Sequence, residues 1–244
     1  MWSLLKKEVS GFLSSLIGYI VIIVFLLVNG LFLWVLPLDS NVLYFGYANI
    51  DGLFTIAPFV FLFLIPAITM RMFAEEKRSG TIEQLLTQPL SDMQIIGAKY
   101  LAGVFLVVFS LLPTLVYYYS VYQLGLPEGN MDQGAMWGSY LGLLFLGAAF
   151  VSIGLFASSL TDNQIISFIL AVILSGFIYI GFEFVWSLDW FGEWDLLIRS
   201  LGISSHYSSI SRGVIDTRDL LYFFSIIALF LLLTRFVLIS RKWD

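Results

Sequence analysis

Six stretches of the chain stay apolar for roughly the 20 residues that a helix needs to cross a ~30 Å hydrocarbon core. They are residues 16–36, 53–70, 100–122, 137–160, 165–186 and 220–239. The first four contain no Asp, Glu, Lys or Arg. Glu183 and Arg235 stand near the ends of the fifth and sixth, where a long side chain reaches the headgroups. The pattern predicts an all-α membrane protein with six transmembrane helices. Ahead of the first span, Trp2, Leu4, Leu5, Val9, Phe12 and Leu13 alternate with Lys6, Lys7 and Glu8. This predicts an amphipathic interfacial helix over residues 1–15, followed by a six-span domain over 16–244. The first span exceeds the apolar core of a signal peptide, and no small-residue cleavage site follows Leu36, so it reads as an uncleaved helix.

Two connections are too long to be plain turns. Between spans two and three the chain reads RMFAEEKRSGTIEQLLTQPLSDMQIIGAK, its densest cluster of charge. A helix–helix connection usually takes about 2–8 residues. The reading is that span two continues as helix through Ser79, with Lys77 and Arg78 in its last turn and Gly80 in the left-handed stop position. A short amphipathic helix follows from Thr81, with Ile82, Leu85, Leu86 and Leu90 at helical spacing, and Pro89 limits it. Ser91 and Gln94 have the spacing of a capping box opening the next helix. The region 71–97 is therefore either a docking elbow for a cytosolic partner or a solvated loop whose charges only set topology. Between spans five and six, residues 187–219 follow Trp186 with Trp190, Phe191 and Trp194, suited to an interface, and continue as the Ser-rich ISSHYSSISRGV. That second half is a short helix capping the bundle or a wet loop, the apolar flanks favouring the cap.

Composition agrees: 59% hydrophobic and 12% charged residues, against about 25% charged in soluble domains. The net charge of -5 matters less than where the charges lie. Nine of the twelve basic residues precede span one, lie between spans two and three, or end the chain. Residues 37–52 and 123–136 have none. Basic residues stay on the cytoplasmic side, so both termini are expected in the cytoplasm and residues 187–219 in the periplasm.

Several chemistries are excluded or weakened. Without cysteine there is no disulfide or thiolate site, and one histidine, His206, cannot build a His cluster. There is no phosphate loop; GAKY at residues 97–100 lacks the spacing and the hydroxyl. Ser158 and Ser175 have no basic partner at membrane depth, which argues against an intramembrane protease. His206 reads as a surface imidazole, and Glu183, Asp189, Glu193 and Asp195 as an acidic rim without metal-ligand spacing. The absence of ionisable residues from the middles of the spans argues against an ATP-independent carrier. Gly142, Gly147, Gly154 and Ala157 in span four, with Gly176 and Gly181 in span five, are read as helix-packing positions.

The text EEKRSGTIEQLLTQPLSDMQIIGAKYLAG at residues 75–103, followed by SRGVIDTRDLLYFFSI at 211–226, resembles the ABC-2 type permease subunits of ATP-binding-cassette transporters. Within them it is most similar to the permeases of the bacteroidete gliding-motility complex. The resemblance implies a bacterial inner-membrane subunit that binds no cofactor itself. ATP and magnesium would be held by a cytosolic ATPase partner, present in two copies. It also implies a second permease subunit or a second copy of this chain, a lipid surround and no nucleic acid. Glu75, Glu76, Arg78, Gly80, Thr81, Glu83, Leu85 and Leu86 are implied as the ATPase-coupling residues, and Trp190, Trp194, Arg212 and Gly213 belong to the periplasmic cap. Export of a substrate and mechanical or scaffolding work for surface machinery are both open on this reading.

Overall fold

The computed structural model describes residues 1–87, 89–188, 192, 195–214 and 216–240. All the regular structure among them is helical. Six helices are long and apolar enough to cross a membrane: Leu16–Val35, Asp51–Arg78, Asp92–Leu124, Gln133–Leu160, Gln164–Ser187 and Thr217–Ser240. These are spans one to six of a multi-pass membrane protein, and each takes in the apolar run expected there, except that the first ends at Val35, one residue short. Lipid offers the backbone no hydrogen bonds, so each segment satisfies its own as helix.

Local chemistry sets the helix starts. Ser91 accepts from the Gln94 N–H at 3.3 Å while the Gln94 side chain accepts from the Ser91 N–H at 3.0 Å, closing the anticipated capping box. Asp132 accepts from the Ala135 N–H at 2.9 Å and Asn163 from the Ile165 N–H at 2.9 Å. Helix irregularities fall at identifiable residues. Pro113 lies in a 3₁₀ turn, Leu112–Thr114, between Asp92–Leu111 and Leu115–Leu124, because it has no N–H for the α ladder.

Span four forms the centre of the bundle. In its most apolar stretch 78% is buried, against 28%, 22% and 28% for spans one, five and six, whose open faces suit lipid. Glycines let the neighbours close in. A Cβ on Gly147 would meet Val107 of span three at 2.6 Å, and one on Gly154 would lie 2.0 Å from Thr69 Oγ1 of span two. The packing role assigned to these glycines thus has named partners. Aromatic contacts fill the rest, including Phe54 against Tyr140 and Phe150 against Tyr179.

The bundle has two unlike ends. One gathers the N-terminal helix Trp2–Ser14 and the segment between spans two and three. At the other, helices Asp195–Ser200 and Ile203–Ser211 precede span six. The Ser-rich segment is therefore helical. It buries Ile203, Tyr207 and Ile210, and the Tyr207 hydroxyl donates to the Phe54 carbonyl at 2.6 Å. Burial pushes the Tyr207 phenol well above its ordinary 10. Trp190 and Trp194 lie outside the described residues.

Candidate functional site

The segment between spans two and three folds as an elbow with a fixed base. Sequence predicts unbroken helix through Ser79; the structure instead breaks it into Asp51–Thr69 and Ala74–Arg78 with a turn between. The break is stabilised from outside the segment. Ser158 of span four accepts from the Phe73 and Ala74 N–H groups at 2.9 and 3.0 Å and donates to the Met70 carbonyl at 3.1 Å. One hydroxyl thus satisfies three backbone groups that an interrupted helix would leave unpaired. Ser158, weighed and set aside as a nucleophile, is a structural plug. Lys77 adds a second tie, donating to the Ser159 carbonyl. The base of the elbow is joined to span four as well as to spans two and three.

Beyond the base the elbow projects. Gly80 takes φ +70°, the left-handed turn foreseen for it, and Ile82–Leu86 follows as a short helix. Ile82 points into a cluster with Leu4 of the N-terminal helix, Ile95 and Ile96 of span three and Leu238 of span six. Arg78, Thr81 and Glu83 are exposed. Thr81 Oγ1 lies 2.9 Å from Ser79 Oγ, and the Thr81 N–H donates to the Glu76 carbonyl at 3.0 Å. The backbones of Leu85 and Leu86 belong to the short helix; their side chains lie outside the description.

Under the elbow sits a group that charge counting could not identify. Lys99, read from sequence as a topology marker, is 1% exposed, one of the largest fully buried side chains. Its ammonium donates to Glu8 at 3.0 Å and to Glu76 at 2.8 Å and lies 5.3 Å from the centre of the Phe73 ring. A buried ammonium is tolerated only when paired and hydrogen-bonded. Here the carboxylates come from the N-terminal helix and the elbow, so Lys99 of span three joins three separate segments. A cavity of about 290 Å³ borders the triad, lined also by Lys7, Arg71 and Glu75. Arg71 grips Glu75 through Nε at 2.9 Å and a terminal nitrogen at 3.2 Å. Of the candidate acids, Glu83 is exposed at the tip, while Glu75 and Glu76 are held at the base. The cluster's physical capability is to fix segments together and let them move together.

At the opposite end, the reading of His206 as a surface imidazole is corrected: the ring is largely buried, its side chain 16% exposed. Nδ1 lies 2.6 Å from Asp219, Nε2 lies 2.8 Å from the Ser200 carbonyl, and the ring stacks on Tyr222 at 3.9 Å. Three separate segments converge there, which local sequence does not reveal. Glu183 accepts from Ser204 at 2.8 Å. Arg212 donates through Nε to the Ser208 carbonyl at 3.2 Å. Gly213 takes φ +82° against residues 134 and 135, where a side chain would have no room.

With this geometry in place, the comparison with known families is specific. A model described as ABC-2 family transporter protein matches residues 36–208, from the end of span one into the second cap helix. The match includes the elbow and Lys99 but not Glu8. No curated protein matches the chain.

Proposed function

Because the chain belongs to the ABC-2 family of transporter proteins, we propose that it is the permease subunit of an ATP-binding-cassette complex, taking its energy from a separate cytosolic ATPase. The charged end is then cytoplasmic and the cap helices periplasmic, in a bacterial inner membrane. The observation that carries this reading is the elbow: its base is tied to span four by Ser158 and Lys77, and its tip presents Arg78, Thr81 and Glu83 to solvent. A partner that displaces the tip moves the base, and with it the central helix against which spans two, three, five and six pack. Nucleotide-driven closure of two ATPase copies supplies such a displacement, and the Lys99 triad carries it to the N-terminal helix. ATP and magnesium stay with the ATPase.

A second permease subunit or a second copy of this chain completes the assembly. The finer proposal, service to gliding-motility machinery, rests on the resemblance at residues 75–103 and 211–226, and the work done is export of a substrate through the paired subunits. Charge reversal at the tip, Arg78→Glu with Glu83→Lys, tests the coupling without touching the Lys99 triad. Rim charges act chiefly on association, so the ATPase should co-purify about tenfold less well while the six-span fold stays intact. Undiminished co-purification with intact ATPase coupling rejects the elbow as the contact.

A further inference from the structure

The end of the bundle opposite the elbow contains an open cleft of about 740 Å³, within the ~300–1,000 Å³ range of ligand sites. Its charges are sorted by origin. The bundle supplies carboxylates: Asp51 at the start of span two, Asp132 capping span four and Glu183 near the end of span five. The cap supplies guanidiniums, Arg199 and Arg212. Asp51 and Asp132 line the same cleft, and no basic side chain pairs with either among the described residues.

The hydroxyl groups sharpen the picture. Ser205, Ser208 and Ser211 each donate to a backbone carbonyl of the cap. Ser139 donates to the Ser211 carbonyl and Ser204 to Glu183. With those protons engaged, the serines offer a ligand only acceptor lone pairs. Donors come chiefly from the two arginines. Arg199 lies over the Trp186 ring at 4.6 Å, and among the described residues Arg212 donates through its Nε alone. A wholly anionic ligand would meet three carboxylates, and a wholly cationic one two guanidiniums. A ligand with both charges meets complementary groups at each end.

We propose that this cleft binds a zwitterion carrying an ammonium and a phosphate, the ammonium toward Asp51 and Asp132 and the phosphate toward Arg199 and Arg212. The head of an aminophospholipid has that chemistry, and the molecule provides for its chain. Thr55 at the cleft, then Phe59 and Phe63, follow one another at four-residue intervals on an open face of span two, with Phe59 48% and Phe63 55% exposed. A head in the cleft thus continues into an apolar track at membrane depth. This equilibrium site is independent of the coupling proposed for the elbow.

The test uses the full chain in nanodiscs of dioleoylphosphatidylcholine containing a few per cent of a lipid with a photoreactive acyl chain. The lipid head is phosphoethanolamine, phosphocholine or phosphoglycerol, and no nucleotide is present. Phosphatidylethanolamine should label residues 55–63 on the order of tenfold more than phosphatidylglycerol, with phosphatidylcholine between them. Asp51→Asn with Asp132→Asn should abolish the preference, and separately Arg199→Gln with Arg212→Gln should lower labelling by all three lipids, while Asp51→Glu keeps the preference and controls for folding. Free O-phosphoethanolamine separates the two sources. Displacement at millimolar concentration assigns the site to a soluble zwitterion, and resistance assigns it to the lipid; both uphold the ammonium–phosphate chemistry. Equal labelling by phosphatidylglycerol, a preference that survives Asp51→Asn with Asp132→Asn, or undiminished labelling of Arg199→Gln with Arg212→Gln overturns the proposal.

Discussion

Glu8→Gln keeps the shape of the side chain and removes one of the two negative charges that Lys99 meets. Glu8 is 14% exposed and Lys99 1%, so the ~0–1 kcal/mol of an exposed ion pair does not apply. A hydrogen bond to a charged group contributes about 1.5–3 kcal/mol. At ~1.4 kcal/mol per factor of ten, the N-terminal helix should open roughly 10- to 150-fold more often. Hydrogen–deuterium exchange reads this directly: amides of residues 2–14 should speed up by that factor while those of span four stay unchanged. The same substitution made on a Lys99→Met background should have the opposite sign. Without the ammonium, Glu8 and Glu76 are stranded beside each other, and an uncompensated buried charge costs about 3–5 kcal/mol. Neutralising Glu8 then relieves strain and slows exchange. If Glu8→Gln leaves residues 2–14 unchanged, or accelerates them equally in both backgrounds, the triad does not hold the N-terminal helix.

Three further outcomes follow from other contacts. Ser158→Ala strands the Phe73 and Ala74 N–H groups; at ~1–3 kcal/mol each, a loss of ~2 kcal/mol should raise trypsin cleavage after Lys77 and Arg78 about 30-fold, and an unchanged rate would remove Ser158 as the plug. Gly154→Ala places a methyl 2.0 Å from Thr69 Oγ1 and should destabilise by about 1–3 kcal/mol through overpacking, seen as a lowered melting temperature that Thr69→Ala partly restores. A periplasm-active reporter should work when fused after Gly129 and fail after Thr87; the reverse would invert the orientation proposed for both ends.

The fold was legible where its causes are local. Apolar runs of bilayer length gave the spans, and neighbouring residues gave the Ser91–Gln94 box and the left-handed Gly80. The break at residues 70–73 was not legible, because what stabilises it is Ser158, more than 80 residues along the chain. Charge counting placed Lys99 correctly at the charged end and missed its burial, since its partners Glu8 and Glu76 lie 91 and 23 residues away. His206 escaped for the same reason: nothing near ISSHYSS announces Asp219 or the stacked Tyr222. Small residues in span four signalled close packing, but only the folded bundle shows that Gly154 receives Thr69 and Gly147 receives Val107.

The central claim is that the exposed tip of the elbow is where the ATPase pushes. A photocrosslinking amino acid at position 83, activated in native membranes, tests it most directly, with position 129 at the opposite end as the comparison. Position 83 should yield a covalent adduct with a nucleotide-hydrolysing subunit, and position 129 none. An ATPase adduct from position 129, or none from 83 while the complex remains assembled, would contradict the account.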